Sequence, residues 1–209
     1  MKTILYTLLF LLSFGAVAQS KYETGMQKAL ELWRDNQPEK AAQLFERIAG
    51  AETEAWLPNF YASQILVFSS FNEKDKTKFT ETMAKALTLL NMAKTNNGET
   101  PNAEIMVLEA QYYTAWVVFD GQTYGMQYAG KVAQLYQKAA VISPDNPRVV
   151  LGKAEWDIGS AAFFGGDTSA YCKEVDRAIS LFETFEPESN LHPSGGLEHA
   201  LEVQKKCGK

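Results

Sequence analysis

The sequence has few of the residues that usually carry chemistry. Its 209 residues include two histidines and two cysteines. Nucleophilic catalysis needs a nucleophile, a base and a group that orients the base. Both histidines, His192 and His199, fall near the C-terminus, and no nucleophile elbow accompanies them. They stand seven residues apart, whereas a helical metal pair uses i, i+4 spacing. A site shared with Cys207 would be needed to make a metal centre of them, and no metal is expected. Basic runs are also missing: none is longer than Lys205-Lys206, and the net charge is −5. Nucleic-acid binding, which needs a clustered basic face, is therefore not expected. Beyond the first residues no segment is long and apolar enough to span a bilayer.

The apolar run that does exist opens the chain. Lys2 supplies a positive end, Ile4 to Leu12 is mostly apolar, and Ala16-Val17-Ala18 is a small-x-small cleavage site. This is the layout of a secretory signal peptide over residues 1–18. It is too short for a membrane anchor, for which roughly 20 residues are needed. No cysteine follows the cleavage site, so lipid modification is not expected there. The expectation is a periplasmic or secreted protein with no stable membrane insertion, and a single domain over 19–209.

That domain reads as helix almost throughout. Ala41-Phe45-Ile48 is echoed by Ala86-Leu90-Ala93, Val132-Tyr136-Ala139 and Val175-Ile179-Phe182. Each triplet has the spacing i, i+4, i+7, and the echo returns about every 45 residues, as stacked helical pairs require. Ser20-x-x-Glu23 is a capping box, Pro38 suits a first helical position, and Asn96-Asn97-Gly98 and Ser143-Pro144-Asp145-Asn146-Pro147 are turns. Asp120-Gly121 and Gly125 suggest a loop between the fifth and sixth helices. About nine helices result. Odd-numbered helices are apolar nearly all round and even-numbered ones amphipathic, which implies an inner and an outer layer.

The pattern resembles tetratricopeptide repeats. Tyr136, Ala139 and Pro144 fall at the spacing of that family's second-helix aromatic, small residue and closing proline, and Gly152 at the next small position. Ala41-x-x-x-Phe45 matches a further element. The stretches GKVAQLYQKA (130–139), NPRVVLGKAEWDIGSAAFFGGD (146–167) and HPSGGLEHA (192–200) are similar to small exported TPR-like proteins of Gram-negative bacteria. The resemblance implies an all-α helical-pair solenoid that binds a protein or peptide partner in a concave groove, with no cofactor. The groove would be formed by residues 54–70, 102–119 and 147–164. Asn59, Gln64, Gln111 and Lys153 are polar positions on these apolar helices, so they are expected to face solvent or a partner.

Other readings use the same helices. Aromatic inner helices could hold a small molecule or an envelope component. An enzyme could use Glu109, Lys153, Glu155 and Asp157, although charges on packed helices more often pair with one another. Catalysis is not expected. Gly125-x-x-x-x-Gly130-Lys131 stops short of a phosphate-binding loop, because Val132 stands where a hydroxyl should hold magnesium. Finally, Cys172 and Cys207 are the only cysteines. Measured along two helices, Cys172 lies about 21 Å before the turn at Phe185 and Cys207 about 17 Å past Gly196. Antiparallel packing would bring them level, and export permits a disulfide; the alternative is two buried free thiols.

Overall fold

The computed structural model describes residues 21–207, so the leader and the Ser20 half of the capping box lie outside the described residues. Among those residues every regular element is a helix. Helix α1 covers 21–34. It is followed by α2 (Pro38–Ala51), α3 (Trp56–Ser70), α4 (Lys76–Asn97), α5 (Ala103–Phe119), α6 (Gly121–Ile142), α7 (Pro147–Phe163), α8 (Ser169–Thr184) and α9 (Leu197–Gln204).

Local chemistry sets the boundaries. Pro38 and Pro147 open α2 and α7, where their missing N–H costs nothing. Asp75, Asn102, Asp120 and Asn146 each cap a helix by accepting from N–H groups of its first turn. The cap at Asp120 corrects one expectation. Its carboxylate accepts from Thr123 N at 3.1 Å, so α6 starts at Gly121 and no loop extends to Gly125. The break between α5 and α6 is one residue long. Gly125 and Gly130 are therefore inside a helix, where backbone N–H groups are committed to helical bonds. The nucleotide reading falls with the loop.

The layers are as expected. α4, α6 and α8 each pack on the odd helix before them, α2 meets α1 at Gly25 and Ile48, α5 also touches α3 and α7, and α9 packs on α8. The four echoed triplets form the inward faces of the outer helices. Ala41, Ala86, Val132 and Val175 are all fully buried, as are Phe45 and Leu90. At the best tetratricopeptide match the small residue is required by geometry. A Cβ on Gly152 would lie 2.7 Å from Cε1 of Tyr136, so the aromatic of α6 sits directly against the backbone of α7. Burial pushes the Tyr136 hydroxyl well above its usual range and keeps it neutral.

Candidate functional site

The same two helices that touch at Gly152 part company further up. Adjacent helices in the stack run antiparallel, so the end of α5, the start of α6 and the end of α7 share one end of the molecule. The buried residues of α6 (Val132, Leu135, Tyr136, Ala139) all lie in its second half. Those of α7 lie between Pro147 and Ala154, in its first half. The helices are thus joined at one end only.

Helical spacing shows what lines the open end. On α7, Gly152, Trp156, Gly159 and Phe163 follow i, i+4, i+7, i+11 and share one face. On α6, Ala129 and Gly125 stand seven and eleven residues before Tyr136, again on one face. At Gly152 the faces are in contact. At Gly159 and at Gly125 a Cβ would have no neighbour within 4 Å. Small residues on packed helices usually mark close approach; here they mark an opening.

The two helices therefore diverge from the Gly152–Tyr136 contact and leave a wedge-shaped opening, the cleft, between their unpacked halves. It rises about 16 Å to Phe163, at 1.5 Å per residue. Its rim is apolar and unpacked: Phe163 is 75% exposed, Phe164 83% and Met126 100%. Exposed aromatics of this size clustered at one end are the kind of patch that marks a binding surface. Along the α6 side Tyr124 and Tyr128 stack in parallel, with Trp116 against Tyr124 and Tyr113 against Tyr128. Tyr113, Trp116 and Trp156 are thus partly core, as their helical spacing implies.

The four polar positions of the concave groove do not come together. Asn59 is fully buried, and neither of its amide atoms is hydrogen-bonded among the described residues. Gln64 is buried as well. Polarity marked these two for solvent, but α3 is enclosed on several sides and takes them into the core. Gln111 is half-buried, and its Oε1 is buried without a partner. Lys153 alone is exposed, and it pairs with Asp157.

The groove itself is also occupied at one end. Residues 185–196 leave α8 and run from the N-terminal turn of α7 to the N-terminal part of α3 before returning to α9. Phe185 lies under the guanidinium of Arg148, 4.6 Å from ring centroid to Cζ. Arg148 in turn pairs with Glu104 of α5. Tyr61 Oη of α3 donates to the Leu191 carbonyl at 2.8 Å, and the Leu191 side chain is buried in the core cluster of α1 to α5. The segment thus lies across one end of the inner helices expected to form the groove.

The charged group disperses into pairs. Glu109 meets Lys94 at 2.8 Å and Lys131 at 3.5 Å, Lys153 meets Asp157, and Glu155 meets His199 at 2.7 Å. His192 stands apart, with its ring on Trp56 and Nδ1 at 2.8 Å from Ser189 Oγ. Cys207 is bonded to Cys172, with Cα atoms 5.7 Å apart, as the level-matching of the two helices implied. No group of three potential metal ligands occurs among the described residues.

The cleft was not read from the sequence, although a signal existed. Gly125, Gly130 and Gly159 fall inside helices, where glycine has no local use, and Phe163-Phe164 precedes Gly165-Gly166.

Comparison with known proteins places the fold but not a family. No family model matches the chain. No curated protein matches it either. Among solved structures, the HusA haemophore from Porphyromonas gingivalis has the same fold, with a TM-score of 0.75 over 89% of this chain and 92% of that one. The two are 20% identical in sequence.

Proposed function

We propose that the protein is an exported binder of a small, flat, largely apolar molecule, held in the cleft between α6 and α7. The observation that carries the reading is the open face at Gly125 and Gly159 beneath an exposed aromatic rim. Concave sites with apolar walls and few polar groups are the usual form of small-molecule sites. The unpacked face of α7 from Gly152 to Phe163 runs about 16 Å, the scale of a porphyrin. A haemophore of the same fold makes haem the first compound to test. The leader pattern and the disulfide support export. The reading assigns no catalysis, since Glu109, Asp157 and Glu155 are each taken up in separate pairs. A peptide partner in the concave groove is less favoured, because residues 185–196 lie across one end of that groove.

The test fills the cleft without disturbing the fold. Gly125→Phe places a ring where there is free space and removes a helix-interior glycine, which by itself stabilises by about 0.3–0.5 kcal/mol. Haemin titrated into the native protein should give a saturable change in its absorption spectrum and quench tryptophan fluorescence. Gly125→Phe should weaken that binding at least tenfold, with a melting temperature unchanged or higher. Equal binding by the variant would move the site elsewhere. No binding by the native protein would remove haem as the ligand.

A further inference from the structure

The segment 185–196 has both of its ends on one part of the molecule and its middle on another. Its ends belong to α8 and α9, which pack on each other and are joined by the Cys172–Cys207 disulfide. Its middle is fixed to α3. Leu191 is 5% exposed within the α1–α5 cluster, Tyr61 donates to its carbonyl, and the His192 ring meets Trp56 edge-on with centroids 5.7 Å apart. Pro193 beside them is buried. Ser189 holds the tip in shape, since its Oγ accepts from Leu191 N and its carbonyl from His192 N.

The reach is what such a crossing needs. Two inner-helix spacings amount to roughly 16–20 Å. The six steps from Phe185 to Leu191 span about 20 Å when extended. The segment is therefore long enough to cross and still turn at Ser189–His192. Its return is fixed by Gly196, at φ +131°, where a Cβ would lie 2.5 Å from the Phe182 ring. Only glycine takes that conformation with the ring in place.

The placement matters for the cleft. The segment crosses at the N-terminal turns of the inner helices, which is the joined end; the cleft opens at the other end. α7 is held to α5 and α6 at the joined end by the Glu104–Arg148 pair, the Asn146 bond to Glu104, the Tyr136–Gly152 contact, and the cluster of Val149 and Tyr136 on which Trp156 packs. A second tether that runs past α5 to α3 resists rotation of α7–α9 about those contacts.

We propose that residues 185–196 act as a clamp that sets the angle between α7–α9 and the rest of the stack, and with it the width of the cleft. The inference rests on the cleft geometry and not on the identity of any ligand.

The disulfide allows a direct test on the full protein. Glu188, Ser189 and Asn190 are exposed, so a protease site can be placed there. Cutting it in the folded, oxidised protein severs the clamp while Cys172–Cys207 keeps α9 covalently attached. Nitroxide labels on Gln122→Cys and Phe164→Cys, both exposed positions at the open end, report the cleft width by pulsed electron spin resonance. The cut should lengthen and broaden the distance distribution. The uncut Leu191→Ala variant should shift it in the same direction. An unchanged distribution after complete cutting would overturn the proposal. So would a change that appears in Leu191→Ala but not on cutting, which would reflect core damage instead. Neither readout uses haemin, so failure of the haem reading leaves this test intact.

Discussion

A methyl group on Gly152 would have to displace the ring of Tyr136, which is itself 3% exposed. Gly159, seven residues on and on the same face of α7, has free space around it. The two glycines make an internal comparison. Replacement of a helix-interior glycine by alanine gains about 1 kcal/mol in propensity. Overpacking a buried contact costs about 1–3 kcal/mol. Gly159→Ala should therefore raise stability by up to about 1 kcal/mol, while Gly152→Ala should lower it by about 1–2 kcal/mol net. Urea unfolding of the two variants decides it, and equal effects would mean that α6 and α7 do not diverge. The small residue at Gly152 was legible in the sequence, because the tetratricopeptide spacing demands one there. The emptiness at Gly159 was not, since a lone glycine looks the same whether a neighbour is near or absent. Asn59 and Gln64 show the same limit. Side-chain polarity does not report that a helix is enclosed on every side.

At the scale of elements, the order and type of the helices were legible because their causes are local: caps, prolines and the recurring triplets. The exception at Asp120 is instructive. Glycines in sequence suggested a loop, but a single capping carboxylate was enough to start α6 at once. The last element, α9, is held by less. It has eight residues, one fully buried side chain (Ala200), the disulfide and the His199–Glu155 contact to α7. The hydrogen bond to Glu155 raises the His199 pKa above its ordinary 6.5 despite partial desolvation, with Glu202 adding to the rise and Lys206 opposing it. A raised folded pKa means that the pair stabilises fully below about pH 6.5 and loses its contribution as pH climbs through the folded value. His199 is more than half exposed, so the effect is small, within the ~1 kcal/mol of a surface pair. Removing the crosslink should expose it. The double variant Cys172→Ser/Cys207→Ser should lose up to about 3–4 kcal/mol, less to the extent that α9 is already packed. Its remaining α9 protection, followed by amide exchange, should fall between pH 6 and pH 8. Protection that is flat across that range would show that His199 does not hold α9.

Seen whole, the chain is a stack whose cohesion is uneven. The largest core cluster joins α1 to α5 and takes in Leu191 from the far end of the chain; two smaller clusters join α5, α6 and α7, and then α7, α8 and α9. Leu191 was invisible in the sequence. One apolar residue in the polar stretch from Glu186 to Gly196 has no periodicity, and its partner Tyr61 lies 130 residues away. Repeat stacks unfold in parts, because each unit depends mainly on its neighbours. Local opening then follows local burial. In α3 eleven of fifteen residues are buried, whereas α8 buries only Val175 and Ala178. The open halves of α6 and α7, over 121–131 and 155–163, are helical with no fully buried side chain. Native-state hydrogen exchange should therefore find the slowest amides in α3 and the adjoining face of α5. Amides in 121–131 and 155–163 should exchange much faster even though their helical bonds are intact. A ligand held as proposed would pack mainly against those two segments, so saturating haemin should slow exchange there most, while α3 stays as it was. Protection of the open halves equal to that of α3 before any ligand is added would mean that the cleft is closed in solution, and both the site and its clamp would lose their basis.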